Sequence, residues 1–540
     1  MLMTHTFPRS TLTVAAALLL TGCAVGPDYT RPDAPIPAQY KQAPAAPVDA
    51  YGARWQSAQP ADEAPTGAWW RVFQAPELDA LMAQLHEHTP SIAQAEAQYR
   101  AAQALLQQAQ AKLFPTLDAR LDAQRTGSAG QRADQYSAAL AASWAPDLWG
   151  GVRRSIEAND AEAQARYARL AGVRLSAEAQ LATAWLQWVV ATQQLAQMRQ
   201  SEAALAEAWQ LTQHQYRAGI VTDGVVAQAE SQLKSQQARR IECQLARAQL
   251  EHAIAAALGF APIELELPAT FALPPPAAGQ PQGRRRESEA PLRPPESEPL
   301  CCDVEGAAPL GVQRMTDARS AAGVSVGVVL PVLPELPAGL PSELLQRRPD
   351  IAAAERDMAA ANARIGVARA ALFPSLTLDA SLGRRASVLD ELFRAPNRFW
   401  ALGADMLLSL FDGGQRRAHE AQMQAEYDAA VAAWRQTVLN ALREVEDLLA
   451  ARRLLAQQAE TQRAAVQAAR RAENIASNQY RSGTVSHLEV LTTQSNRLAA
   501  ENSLWDIYSR QYSTAVALIA ALGGGWQMPD TLPDDEPPRP

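Results

Sequence analysis

The chain has 540 residues, of which 57 are acidic and 49 are lysine or arginine, giving a formal charge of −8 and a pI near 5.6. That balance argues against a nucleic-acid partner, which would favour a basic surface. A mean hydropathy of −0.21 and only four cysteines argue against a polytopic helical membrane protein and against a disulfide framework, so any membrane crossing must use strands.

Residues 1–22 read as a targeting signal. Arg9 precedes an apolar run, Thr11 to Thr21, that has the length of a signal h-region and is too short for a permanent membrane helix. The run ends in Leu20-Thr21-Gly22-Cys23, which resembles the lipobox of bacterial lipoproteins. The alternative is an ordinary signal peptide with an incidental cysteine. The resemblance implies that Cys23 is acylated on sulfur and becomes the first mature residue, anchored by about 0.8 kcal/mol per buried methylene. Ala24, where an aspartate would retain the protein at the inner membrane, implies the outer membrane as destination.

Beyond the anchor the chain repeats itself. PSIAQAEAQYRAAQALLQQAQAKLFPTLDARL from Pro90 aligns with PDIAAAERDMAAANARIGVARAALFPSLTLDASL from Pro349, and QYRAG at Gln215 matches QYRSG at Gln479. Two copies are too few for a solenoid, so the halves read as pseudo-symmetric parts of one domain. Each opens with a helix begun by proline, Pro90 to Leu113 in the first. The period then drops to two: Leu117, Ala119, Leu121 and Ala123 alternate with Asp118, Arg120, Asp122 and Gln124. Tyr136 to Trp144 forms the second strand, and Leu376 to Leu382 the third. In the fourth, Trp400, Leu402, Ala404, Met406, Leu408 and Leu410 share a face opposite Gly403, Asp405 and Ser409. This alternation fits a transmembrane strand and equally a soluble antiparallel sheet with one wet face. Next comes a stretch without proline, from Gly151 to Gly219 and from Gly414 to Gly483, long enough for a helical rod of ~100 Å. A glycine turn then starts a shorter return helix, Val225 to Leu258 and Val485 to Leu522. The return helix and the opening helix together nearly match the rod.

These elements resemble an outer-membrane factor of tripartite efflux pumps, in the NodT-type lipoprotein branch with a TolC-like fold. The residues that carry the likeness are Gly22 to Tyr29, Trp69-Trp70 to Phe73, LPAGLPSELLQRRPD from Leu336, both Leu-Phe-Pro strand starts and the two Gln-Tyr-Arg-x-Gly tips. The resemblance implies a mainly α fold with a transmembrane β-barrel. Each chain gives four strands to a twelve-stranded barrel closed by a homotrimer, above a long periplasmic α-helical tunnel. The chain then divides into a signal peptide (1–22), a lipid-anchored and equatorial segment (23–89), a first repeat (90–267), a linker (268–348), a second repeat (349–525) and a disordered tail (526–540); within the linker Phe271 to Leu330 departs from the family, its Pro, Gly and mixed charges reading as a flexible insertion. Four strands cannot close a barrel by themselves, which independently requires oligomerisation.

The implied function is the outer-membrane channel of an efflux system of the RND type, a passive conduit for small molecules or drugs. The implied partners are a periplasmic membrane-fusion adaptor, an inner-membrane transporter and outer-membrane lipid. Alternatives are the conduit of a protein secretion system and a lipid-anchored coiled-coil scaffold without a pore. The resemblance places Tyr216, Arg217, Gly219, Tyr480, Arg481 and Gly483 at periplasmic tips that meet the adaptor. It places a periplasmic gate at Glu489 and Thr492, where only Glu489 keeps the family's acidic character; the first-half equivalent is Val225. The bland alternative for Glu489 is a helix cap worth some 0.3 to 1 kcal/mol.

Other motifs point to no chemistry. His86 and His88 fall on different sides of a helix and lack the i, i+4 spacing for a metal. Trp185 and Trp188 read as packing, Gly523 to Gly525 as a helix stop, and GVSVGVV from Gly323 lacks dinucleotide spacing. Cys301-Cys302 has no partner set for zinc or iron–sulfur, and Cys243 stands alone. No catalytic residues, metal site or cofactor is expected, and the chain reads as a non-enzyme.

Overall fold

The computed structural model describes residues 24–33, 37, 40–41, 68–128, 131–264, 267, 330–331, 333–334 and 347–525. Cys23, Cys301, Cys302, the 323–329 motif, most of the 336–350 motif and the C-terminal tail lie outside the described residues. In chain order the helices are α1 (Pro76–His88), α2 (Pro90–Ala111), α3 (Gly151–Arg217), α4 (Asp223–Ala257), α5 (Pro349–Ala370), α6 (Gln415–Arg481) and α7 (His487–Ala521). The strands are β1 (Thr116–Ser128), β2 (Gln131–Trp144), β3 (Ser375–Ala386) and β4 (Arg398–Leu407).

Proline opens α1, α2 and α5, where its missing N–H costs nothing. The rods α3 and α6 have 67 residues each, about 100 Å at 1.5 Å per residue, and both start behind a left-handed glycine, Gly150 and Gly414. Their return helices have 35 residues each. Next to the sheet the helices lie side by side in the order α2, α3, α5, α6, and toward the tips the order becomes α4, α3, α7, α6. Thus α2 with α4, and α5 with α7, fill the length that one rod spans. Alanines make the close approach of α3 to α5 possible: Ala161, Ala168, Ala352, Ala359 and Ala360 are all buried.

The end-to-end junctions use different chemistry in the two halves. In the first, the Thr89 hydroxyl donates to the Ala257 carbonyl (3.0 Å), closing α4 onto α2. In the second, Arg348 Nη1 donates to the Ala521 carbonyl (2.9 Å) and to Glu444 (2.8 Å). Around the first junction sits the main core, in which Trp69, Phe73, Leu78, Met82 and Leu85 pack on Leu181, Trp185 and Trp188 of α3. Trp185 and Trp188 are buried, as packing residues should be.

The sheet is an antiparallel meander in the order β1-β2-β3-β4. Its last strand is shorter than the alternation suggests. β4 ends at Leu407, so Leu408 and Leu410, expected on its apolar face, lie beyond it. The chain must turn there into α6 through Gly413 and Gly414, both at positive φ, and Arg416 fastens the turn to Ser409 Oγ (2.5 Å) and the Ala371 carbonyl (2.9 Å). The return helices begin at Asp223, two residues before the expected start, and at His487, two residues after it, each behind an extended N-cap residue, Thr222 and Ser486.

A strap formed by residues 24–33 runs from the base of the sheet along the helices. Val25 N–H donates to the Trp149 carbonyl (3.1 Å), and Arg154 Nη2 donates to Asp28 (2.7 Å). Asn362 Nδ2 donates to the Pro27 carbonyl (3.0 Å), and Arg31 pairs with Glu355 (3.3 Å). Gly26, at φ 119, permits the close approach, since a Cβ there would stand 2.6 Å from Gly366 Cα.

Candidate functional site

The register decides which side of the sheet each residue faces. Leu140 pairs with Leu382 and Leu382 with Trp400; Ala142 pairs with Ala380 and Ala380 with Leu402. Leu121 pairs with Ala138 in the same sense. One face is therefore apolar across all four strands, and it is bare: Leu121 is 86 % exposed, Trp400 and Leu402 78 % each. An apolar face this open is a liability in water and is satisfied in hydrocarbon. The other face carries Asp118, Arg120, Asp122, Ser137, Asp379 and Asp405, all placed by the same ladders. Both β1 and β4 have an unpaired edge, which lipid does not tolerate. The edge helices repeat the situation: Leu105 of α2, Ile241 and Leu245 of α4, and Leu454 and Ile475 of α6 are exposed.

The opposite end of the molecule is made by the two tips. After α3, Gly219 N–H donates to the Tyr216 carbonyl and Ile220 N–H to the Gln215 carbonyl, both at 2.8 Å. After α6, Gly483 and Thr484 do the same to Tyr480 and Gln479, at 2.9 Å. The glycines adopt φ values of 73 and 76, and a Cβ at either would meet nothing within 4 Å, so the left-handed φ alone requires glycine. Tyr216, Arg217 and Arg481 are exposed, whereas Tyr480 Oη donates to Gln215 Oε1 (3.1 Å), holding the two tips side by side. The Tyr480 ring also leans on His487 (centroids 5.0 Å apart), whose burial lowers its pKa below the ordinary 6.5.

Glu489 lies in the first turn of α7, exposed, with its carboxylate bonded to no described group. Thr492, one turn on, is exposed and donates its hydroxyl to the Leu488 carbonyl (2.9 Å). Ser486 makes no side-chain cap bond, and Val225 occupies the equivalent first-half position. Among the described residues no group of three histidines, cysteines or acids could hold a metal. His86 is instead committed to Glu178 (2.8 Å), and the His88 ring meets Phe260 edge-on.

Two interior ionic groups were not read from the sequence. Glu178 of α3 is buried. Desolvation raises its pKa, opposed by hydrogen bonds to His86 and from Trp69 Nε1 (2.8 Å). Glu501 of α7, 4 % exposed, receives Arg470 (2.8 Å), Arg497 (2.7 Å) and Gln197 Nε2 (2.6 Å), tying α6, α7 and α3 together. The i, i+4 spacing of Arg497 and Glu501 was the only local signal.

The profile of the outer membrane efflux protein family matches residues 81–260 and 340–524. The pyoverdine export outer membrane protein OpmQ of Pseudomonas aeruginosa is 30 % identical over 527 residues, covering 95 % of this chain and 96 % of its own. The probable efflux pump outer membrane protein TtgC of Pseudomonas putida is 29 % identical over 534 residues, covering 96 % of each. The solved outer-membrane channel OprN superimposes with a TM-score of 0.75 at 27 % identity, over 94 % of this chain and all of that one. With its bare apolar sheet, paired helical rods and a profile matched in both halves, the chain belongs to the outer membrane efflux protein family.

Proposed function

We propose that three copies of this chain close a twelve-stranded barrel in the outer membrane and a helical tunnel beneath it, forming the passive exit duct of a tripartite efflux system. The observation that carries this is the sheet: one continuous apolar exposed face, one polar face and two open edges, in a chain whose two 67-residue rods start at that sheet. Closing β4 of one copy onto β1 of the next satisfies both edges and turns the polar face into a wet lumen. The halves, read as a duplication, give the ring its pseudo-sixfold helical layout. The duct itself performs no reaction; energy comes from an inner-membrane transporter joined through a periplasmic adaptor.

In this duct the chain comprises a signal peptide (1–22), an anchored segment (23–89), two repeats (90–267 and 349–525), the linker between them and a tail. Cys23 carries the acyl anchor, and residues 24–33 behind it fasten the chain along the base of the sheet and the helices. The tips at Tyr216, Arg217, Gly219, Tyr480, Arg481 and Gly483 meet the adaptor. Glu489 from each copy forms a carboxylate ring that narrows the resting tunnel, with Thr492 contributing no charge. The relatives named for pyoverdine export and for efflux support small molecules as cargo. The test is mild electrophoresis combined with planar-bilayer recording: a heat-modifiable trimer should carry the conductance. A conducting monodisperse monomer would refute the architecture.

A further inference from the structure

The hairpin end of the sheet, farthest from the tunnel, carries charge on the side that the rest of the sheet keeps apolar. Arg384 of β3 and Arg398 of β4 are direct cross-strand partners, one pair beyond Leu382 and Trp400 on the same face. Like charges opposite one another weaken a sheet unless something of opposite sign lies between them. Their row continues through Ala138 to Leu121, so no carboxylate stands in it. Arg384 directs Nη1 to the carbonyls of Phe393 and Arg394 and covers the Phe393 ring, leaving the rest of its fork open. Arg398 is exposed and bonds no described side chain.

The nearby acids are otherwise engaged or turned elsewhere. Asp134 binds Arg125 (2.5 and 2.7 Å), and Glu391 binds Arg394 (2.9 Å). Asp390 is exposed in the loop and bonds neither arginine. Barrel closure does not supply a counter-ion. The strand that would join β4 is β1 of another copy, whose apolar face carries Leu117, Ala119, Leu121 and Ala123 and ends in Arg125, with no acid in any register. Exposed aromatic and apolar side chains flank the arginines: Trp400 toward the sheet, Phe393 (72 % exposed) and Leu389 in the loop. Aromatic girdles mark the membrane interface of outer-membrane barrels, so this row lies at headgroup depth.

We propose that Arg384 and Arg398 clamp the phosphate of a phosphorylated glycolipid of the outer leaflet, with Trp400 and Phe393 against its apolar part. Two guanidinium forks match a phosphate in geometry and charge, and an anion between them removes their repulsion. The apolar flank favours a lipid over a soluble anion. The proposal rests on the sheet being a lipid-facing barrel wall.

The experiment is native mass spectrometry of purified trimers titrated with bisphosphorylated lipid A and with its dephosphorylated form. The wild type should bind the phosphorylated lipid more tightly. Arg398→Gln should weaken that binding at least about tenfold, the loss expected for one charge-assisted hydrogen bond, and leave the dephosphorylated lipid unaffected. Trimer yield and conductance should stay unchanged, because Arg398 faces away from the lumen. Equal wild-type binding of the two lipids, an Arg398→Gln trimer that binds like wild type, or displacement of lipid A by an equal concentration of inorganic phosphate would overturn the clamp. Those results in a trimer that still conducts contradict the clamp alone; a trimer that does not conduct contradicts the barrel reading.

Discussion

The two halves of the chain repeat the same rods and return helices, and two differences between their side chains stand out. Rods of 67 residues and return helices of 35 occur twice, and both tips close with the same pair of backbone hydrogen bonds onto a left-handed glycine. At the equatorial junction, however, a threonine hydroxyl in the first half is replaced by an arginine in the second, which also binds Glu444. At the tips, Asp223 and Val225 in the first half stand where the second has His487 and Glu489. The shared geometry is set by rise, turn and edge pairing, which tolerate many side chains. At the junction the charge that breaks the equivalence has a partner, Glu444 of α6, whereas Thr89 reaches only main-chain carbonyls.

The sheet, common to both halves, should respond alike in each. Leu140→Arg and Leu402→Arg each place a charge on the apolar face and should cost about 2–4 kcal/mol, seen as lost folded trimer in denaturant titration in lipid. Ala401→Arg, one residue away on the polar face, should stay within about 0.5 kcal/mol. Equal damage at both positions would break the assignment of faces. The junctions should respond differently: Arg348→Ala should cost about 1.5–3 kcal/mol, as for a hydrogen bond to a charged group, and Thr89→Ala about 1 kcal/mol. Equal losses in the same titration would erase the distinction.

The smallest effect is one of pH at the tips. Burial lowers the pKa of His487, so above its ordinary value of 6.5 the folded and unfolded imidazoles are both neutral and the tip keeps its full stability. As pH falls below 6.5 the unfolded form takes up the proton first, and that contribution is lost on the way down to the folded pKa. Amide exchange, corrected for its intrinsic rate, should therefore accelerate more at 479–487 than at 215–223 between about pH 7.5 and about pH 5.5. His487→Gln should remove the difference; its persistence would locate the pH response elsewhere.

Much of this was legible in the amino-acid order because it is local. Proline starts, the change of period after each Leu-Phe-Pro and the glycine stops mark elements through neighbours a few residues apart. β4 ends before its alternation does: Leu408 and Leu410 continue the period, and only the turn into α6, fixed by Arg416 reaching back to Ala371, interrupts it. The strap, with Arg154 bonding Asp28 across 126 positions, and the Glu178 and Glu501 networks join segments that no period connects. At the tip the sequence reading located the glycines and Glu489, but not the bond from Tyr480 to Gln215 that sets the two tips together.

The central claim is a trimeric duct whose resting constriction is a ring of Glu489 carboxylates contributed by one half only. Single-channel recording of purified trimers in planar bilayers tests it most directly, comparing wild type, Glu489→Ala and Val225→Ala. Glu489→Ala should raise resting conductance and weaken block by hexammine or divalent cations from the periplasmic side, with trimer yield unchanged, while Val225→Ala behaves as wild type. A Glu489→Ala channel with unaltered conductance and block would return Glu489 to the role of a helix cap and contradict the gate, and wild-type trimers that carry no current would contradict the duct.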